Sequence, residues 1–252
     1  MELNLKGRIA AVTGGASGIG EAIARALAEE GCTICILDKD ADAAQKAATS
    51  IASTGTLVYS AATDVADAAA VVRVFERFAK STQRIDILVN AAGRLSTGLI
   101  ADLPPEEWQK VSQVNLAGVL HCTKAAIPLM CAQQYGRIIN IASVSAMRGG
   151  GSIGNTLYGT TKAGVVALTM GLARELGPAG VTVNAIAPAV VDTSMTRDVL
   201  TEDTQKKIVA RIPIGRLARL SDIADLAIFL ASDRAGFSSG AVIPVDGGIL
   251  TT

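Results

Sequence analysis

Aromatic residues make up only 3% of this 252-residue chain, with a single tryptophan. A core therefore has to be built from Ala, Val, Ile and Leu, which fits the 50% apolar content. Histidine is scarcer still, for His121 is alone. One imidazole is a poor start for a multi-histidine metal centre or a Ser-His hydrolase triad. Net charge is also missing, 23 basic residues balancing 23 acidic ones. That balance removes any global pull towards nucleic acid or an anionic membrane. No unbroken apolar run approaches membrane-spanning length, and residues 1–6 lack the apolar stretch of a signal peptide. The expectation is a cytoplasmic protein with neither nucleic acid nor membrane as partner, and with no metal.

The cysteines are Cys32, Cys35, Cys122 and Cys131. Cys32 and Cys35 form a C-x-x-C inside an apolar, strand-like run, where alternation sends residues three apart to opposite faces. Four reduced thiols are expected rather than a redox pair or metal site.

Short apolar runs alternate with amphipathic stretches from end to end. Strands are expected at 9–12, 33–37, 57–61, 85–89, 137–141, 182–186 and 241–245, and helices near 18–30, 40–53, 67–81, 105–133, 157–177 and 221–232. Seven strands with intervening helices predict an α/β fold, a parallel sheet covered on both faces. No repeat, linker or compositional break divides the chain, so 1–252 reads as one domain. The segment 190–216 interrupts the rhythm beyond the sixth strand. Open α/β sheets bind ligands beyond the carboxyl ends of their strands, and a mobile substrate lid is expected here.

The first strand runs into Thr13-Gly-Gly-Ala-Ser-Gly-Ile-Gly20, and a helical pattern starts at once. Glycines allow a tight turn and close approach to a pyrophosphate, and a helix start presents free N–H groups to that anion. The spacing is Gly14-x3-Gly18-x-Gly20. Asp38 ends the second strand, where a carboxylate accepts hydrogen bonds from the adenosine ribose and repels a 2′-phosphate. The loop at Ala16 and Ser17 brings no cation to offset it, although Lys39 is adjacent. This charge logic favours NAD over NADP as cofactor.

With His121 read as a packing or hydrogen-bonding residue in mid-helix, proton transfer falls to another group. Tyr158 and Lys162 stand at i and i+4 and share a helix face. A tyrosine is a poor base at neutral pH, but an ammonium beside it favours the phenolate. Tyr-x3-Lys alone is a weak signal; downstream of a dinucleotide loop it is a strong one.

Over its full length the chain resembles the classical short-chain dehydrogenases/reductases. The matching residues are the loop 13–20, Asn90-Ala-Ala-Gly93, Asn115, Ser143, Tyr158 with Lys162, Pro188 with Thr193, and Asp246-Gly-Gly248. The resemblance implies a single doubly wound Rossmann-type domain and a hydride exchange between NAD(H) and a secondary alcohol or ketone. Tyr158 would exchange the proton, Ser143 would position the substrate oxygen, Lys162 would hold the nicotinamide ribose, and Asn115 would anchor a water chain from Lys162. Gly14, Ser17, Gly18, Ile19 and Gly20 would cradle the cofactor, with Asp38 on its ribose and Asp64 and Val65 at its adenine. Asn90, Ala91 and Gly93 would close the fourth strand against it, and Pro188, Val191 and Thr193 would flank the nicotinamide.

Two departures stand out. Pro188-Ala189 replaces the family's Pro-Gly, implying a small backbone adjustment. Ser143 lies two residues further from Tyr158 than is usual in the family, while Ser145 sits at the usual spacing. Ser143 is preferred because the strand ending 136–143 matches the family, which makes 146–155 a lengthened loop and leaves Ser145 a secondary contact. Relatives of this length are generally homotetramers that pack helices equivalent to 105–133 and 157–177. The small residues Ala163, Gly164, Ala167 and Gly171 fit that interface or, equally, close packing within one subunit.

The leading expectation for function is a dehydrogenase of a polyol, sugar or similar small hydroxylated substrate. A 3-oxoacyl thioester reductase is the rival, disfavoured by Asp38 because such enzymes usually take NADP. Sugar-nucleotide epimerases share Tyr-x3-Lys but need a larger carboxyl-terminal region. A non-catalytic dinucleotide-binding sensor or scaffold is the alternative outside enzymes, and the complete Asn-Ser-Tyr-Lys set speaks against it.

Overall fold

The structure, a computed structural model, describes residues 2–53 and 55–251. Seven strands, β1 (Ile9–Thr13), β2 (Thr33–Asp38), β3 (Val58–Ala62), β4 (Ile87–Asn90), β5 (Gly136–Ile141), β6 (Val181–Pro188) and β7 (Val242–Val245), form one sheet in the order β3-β2-β1-β4-β5-β6-β7. Every pairing is parallel. The order reverses between β1 and β4, which opens a crevice at their carboxyl ends.

Strand alternation builds two cores. Ala10, Val12, Ile34, Ile36, Ile87 and Val89 face one side, packed with Ile23 and Leu27 of α1 (Gly18–Glu29) and Ile223 and Leu230 of a later helix, Leu220–Ala231. Ala11, Cys35, Leu37 and Leu88 face the other, against Phe75 and Phe78 of the helix Ala68–Thr82. A period of two places neighbours on opposite faces, and helices on both faces bury each set. Cys32 and Cys35 fall into different cores, as their spacing predicts. Burial pushes the thiols of Cys32, Cys35 and Cys122 up to about 12, and all four cysteines are free. Such thiols are inert.

The helices are α1, α2 (Ala41–Ala52), α3 (Ala68–Thr82), α4 (Glu107–Ser112), α5 (Gly118–Gln133), α6 (Ser145–Arg148), α7 (Thr156–Leu176), α8 (Glu202–Val209) and α9 (Leu220–Ala231). Three places differ from expectation. β4 starts at Ile87 rather than 85: the Ile85 amide donates to the Gln133 side chain, while Asp86 keeps backbone bonds to Ile9 and Arg137 and adds its carboxylate on the Ile9 amide. The long helix expected over 105–133 is one rod in which a π-helical turn, Gln113–Ala117, joins α4 to α5. Such turns concentrate at functional sites, and this one carries Asn115. The loop expected over 146–155 begins with the single turn α6. By length and hydropathy alone the rod 107–133 would suit a membrane span, but its buried face packs against α3 and the sheet. The segment 190–216 contains α8, with turns on either side.

Candidate active site

A cleft of about 690 Å³ runs along the carboxyl ends of the strands. At one end the loop 14–20 enters α1. Gly14 has φ +62, and a Cβ there would lie 2.8 Å from the Ala92 Cα. A Cβ at Gly20 would overlap the Gly14 carbonyl. These two positions require glycine. Ser17 is the N-cap of α1, yet its side chain makes no capping hydrogen bond. The first amides of α1 are left for an anion, so the cradle fits a pyrophosphate. Asp38 closes this end. Its carboxylate accepts from the Ala16 and Asp40 amides, at 3.2 Å each, and it lines the cleft with Lys39. Asp64 and Val65 follow β3 on the same wall. Val65 is pinned from behind, because its carbonyl accepts from His121 Nδ1 at 2.9 Å and its side chain fills the space a Cβ at Gly118 would need. His121 is thus a satisfied hydrogen-bonding residue.

At the other end Tyr158 and Lys162 project from one face of α7. The helix starts at this point because the Asn155 side chain caps it, accepting from the Tyr158 amide at 3.0 Å. Tyr158 opens partly onto the cleft, but packed protein takes most water from its phenol. Burial pushes that phenol up to about 12, against a smaller downward pull from its hydrogen bond with Ser143. Lys162 is 4% exposed and donates to the Ile141 carbonyl at 2.7 Å. Its ammonium stands 5.8 Å from the Tyr158 ring centre, and burial draws its pKa down to about 8. In the protein alone, desolvation therefore outweighs the expected help from the ammonium, and Tyr158 is held as the neutral phenol.

The two candidate serines differ in their surroundings. The phenol partner is Ser143, whose hydroxyl also accepts the Ser145 amide at 3.1 Å. Ser145 starts α6 and lines the cleft one step away. Pro188 ends β6, Val191 and Thr193 follow it, and all three line the cleft, as do Ile19, Ala91 and Gly93. Replacing the usual glycine, Ala189 extends the β7 pairing through its amide on the Val245 carbonyl at 3.0 Å.

Two expected site residues lie behind the wall. The Asn90 side chain donates to Asn140 at 2.8 Å and to Thr123 at 3.3 Å, tying β4 to β5 and α5. Asn115, fully buried, accepts from the Arg94 amide at 2.7 Å and donates to the Arg94 carbonyl at 2.9 Å and to Thr161 at 3.1 Å. Its side chain is spent on locking the loop after β4 to α7.

Further positioning residues were not assigned a role from sequence. Thr13 Oγ1 accepts from the Ala91 and Ala92 amides, at 3.1 Å each, and so joins the two central loops. Asn155 donates to the Ser96 hydroxyl at 2.9 Å while capping α7. An Asn three residues ahead of Tyr158, at the expected helix start, was a readable signal; the Thr13 contact depends on a distant loop and was not. No cluster of three or more His, Cys, Asp or Glu suited to a metal ion occurs among the described residues.

The family model described as enoyl-(acyl carrier protein) reductase matches residues 14–250. The chain is 39% identical over 246 residues to the (2S)-[(R)-hydroxy(phenyl)methyl]succinyl-CoA dehydrogenase subunit BbsD of Thauera aromatica, covering 98% of each. It is 37% identical to 3-oxoacyl-[acyl-carrier-protein] reductase of Aquifex aeolicus, covering 99% of this chain and 100% of that one. A crystal structure from Beutenbergia cavernae, described as an NAD(P)-dependent gluconate 5-dehydrogenase with NADP at low occupancy, superposes with a TM-score of 0.94 at 37% identity over the whole of both chains. Cradle, Ser-Tyr-Lys cluster and relatives agree: the chain is an oxidoreductase of the classical short-chain dehydrogenase/reductase family.

Proposed function

We propose that this chain interconverts a secondary alcohol and a ketone with NAD(H), acting on a small hydroxylated substrate such as a polyol, a sugar or a related acid. The observation that carries the reading is the Tyr158 phenol, hydrogen-bonded to Ser143, one helical turn from Lys162, in the same cleft as a glycine cradle. A bound nicotinamide supplies or accepts the hydride. The chain's own residues handle the oxygen. Ser143 orients it and shares its developing charge. Tyr158, a phenol below about pH 12 in the protein alone, gives it a proton in the reductive direction and takes one back in the other. Lys162 offers a buried ammonium to the ribose and to the phenolate.

Asp38 supports NAD, since its carboxylate borders the cleft where a 2′-phosphate would lie and the 14–20 loop brings no cation. A 3-oxoacyl thioester reductase is the second reading, favoured by the Aquifex relative. For assembly, the reading includes a homotetramer built on the outer faces of the rod 107–133 and of α7. Exposed Leu120 and Met170 lie on those helices, and a Cβ at Gly171 would touch nothing in this subunit. Gly164 differs, because a Cβ there would meet Leu116 at 3.0 Å, so packing within the subunit explains it.

The test is a turnover screen of polyols, sugars, hydroxy acids and acetoacetyl thioesters with NAD(H) and NADP(H), read by nicotinamide absorbance. NAD-linked turnover that vanishes in Tyr158→Phe, with NADH still bound, is expected. Full activity in that variant would remove Tyr158 from the chemistry, and a strict NADP requirement with thioester turnover would install the second reading.

A further inference from the structure

The acids lining the cleft all stand at one end of it, where Lys39 accompanies them. Its only acids among the described residues are Asp38, which ends β2, and Asp64, which follows β3, both at the cradle end. The half around Tyr158 is lined by Arg94, Lys110, Arg148 and Lys162, and by no acid. Two of these cations are already paired, Arg94 with Glu107 and Lys110 with Glu106, each at 3.5 Å. Lys162 is buried on the Ile141 carbonyl. Arg148 differs from all three. It lines the cleft as an exposed residue whose guanidinium has no carboxylate at ion-pair distance and no hydrogen bond within the protein.

Arg148 ends α6 and Ser145 begins it. Residues at i and i+3 share a helix face, and both line the cleft. The Ser145 hydroxyl likewise makes no hydrogen bond within the protein, although its residue is only 6% exposed. The turn is held tightly beside the acid/base. A Cβ at Gly159, next to Tyr158, would lie 2.5 Å from the Gly150 nitrogen and 2.9 Å from the Ser145 carbonyl. Gly159 thus lets the backbone of α6 and its following glycines close onto the turn of α7 that bears Tyr158. An unpaired Arg148 and a Ser145 hydroxyl without an internal partner thus stand on one face of a turn packed against the helix that bears Tyr158, in the half of the cleft that has no acid.

We infer that Arg148 and Ser145 read an anionic group on the substrate, so that the preferred substrate is a hydroxy acid or its oxo acid rather than a neutral polyol. The inference rests on the oxidoreductase reading of the cleft and narrows its substrate class. Guanidinium binds carboxylate through paired, charge-assisted hydrogen bonds, and the hydroxyl supplies a third donor. A phosphate on a thioester's carrier arm offers the same chemistry from a second source.

The experiment offers wild type, Arg148→Gln and Arg148→Lys a panel of hydroxy acids and oxo acids, each beside its methyl ester and its coenzyme A thioester. Wild type is expected to prefer acid over ester through KM by about tenfold or more, the scale of one charge-assisted contact. That ratio should collapse in Arg148→Gln and largely return in Arg148→Lys. The same collapse confined to the thioester-over-ester ratio supports the anion site and assigns it to the arm's phosphate. Equal use of all three forms by wild type, or a preference that survives Arg148→Gln, overturns the inference. In that event, loss of ester turnover in Tyr158→Phe would leave the oxidoreductase reading standing. A chain that binds NADH yet turns over no member of the panel overturns both.

Discussion

The two ends of the sheet treat their polar groups in opposite ways. At the amino end, Asp86 is fully buried and saturated. It accepts from the Ile9 amide at 2.8 Å, pairs with Arg84, and lies 3.5 Å from Arg8. Beside it the Tyr135 ring lies against two guanidinium groups, Arg8 at 3.9 Å and Arg137 at 4.2 Å, and its hydroxyl donates to Asp233 at 3.0 Å. At the carboxyl end the Ser17 side chain caps nothing, Arg148 has no acid, and Tyr158 borders the cleft. Both tyrosines are pushed up to about 12 by burial. A raised phenol therefore does not mark the reactive one. What separates them is the partner: Tyr135 spends its proton on the Asp233 carboxylate, whereas Tyr158 has a serine and a cleft. Satisfied groups stabilise the fold, and unsatisfied ones are left for a ligand.

The contrast breaks most sharply at the tyrosines. Tyr158→Phe should lower turnover by about a thousandfold or more, the range of acid/base catalysis, with little change in melting temperature. Tyr135→Phe should do the reverse, and a common effect on rate in steady-state assays would erase the distinction. Asp86→Ala should cost about 3 kcal/mol or more of stability, since it strands two arginines and an amide, while the surviving folded enzyme keeps its KM. A denaturant midpoint that does not move would show the amino-end network to be dispensable.

Lys162 is the one buried charge at the carboxyl end among the described residues, and it should cost stability rather than supply it. Its folded pKa of about 8 lies below the ordinary 10.5. The unfolded chain binds the extra proton between those values, so this group's contribution to stability rises as pH climbs from about 8 to 10.5. Lys162→Met should be inactive yet more stable at neutral pH, by on the order of 3 kcal/mol. That advantage should shrink towards pH 10.5, and a gap independent of pH in parallel urea titrations would contradict the assignment. The smallest effect expected is at Asp38. Its replacement by Ala should narrow the NAD over NADP preference about tenfold, and an unchanged ratio of kcat/KM values would mean that another group reads the ribose.

Much of this is legible in the amino-acid sequence. Alternation in 9–12 and 33–37 specified two-sided burial, and it separated Cys32 from Cys35. The glycine spacing after β1 and the i, i+4 relation of Tyr158 and Lys162 are local, so the chain encodes them within a turn or two. Pattern misplaced the start of β4, because the Ile85 amide and carbonyl take the Gln133 side chain of α5 as partner instead of a neighbouring strand. It also missed the π turn at Asn115, whose side chain bonds to Arg94 and Thr161.

By itself, then, the sequence determined the order of strands and helices, the cradle, and which residue types stand at the reactive end, because each depends on neighbours a few positions apart. Only the tertiary structure decided that Ser143 rather than Ser145 meets the phenol, that desolvation outweighs the lysine's help, and that Arg148 is the unpaired cation beside it. Those outcomes depend on how much water is excluded and which distant charges come near, and both are set when remote segments of the chain pack together.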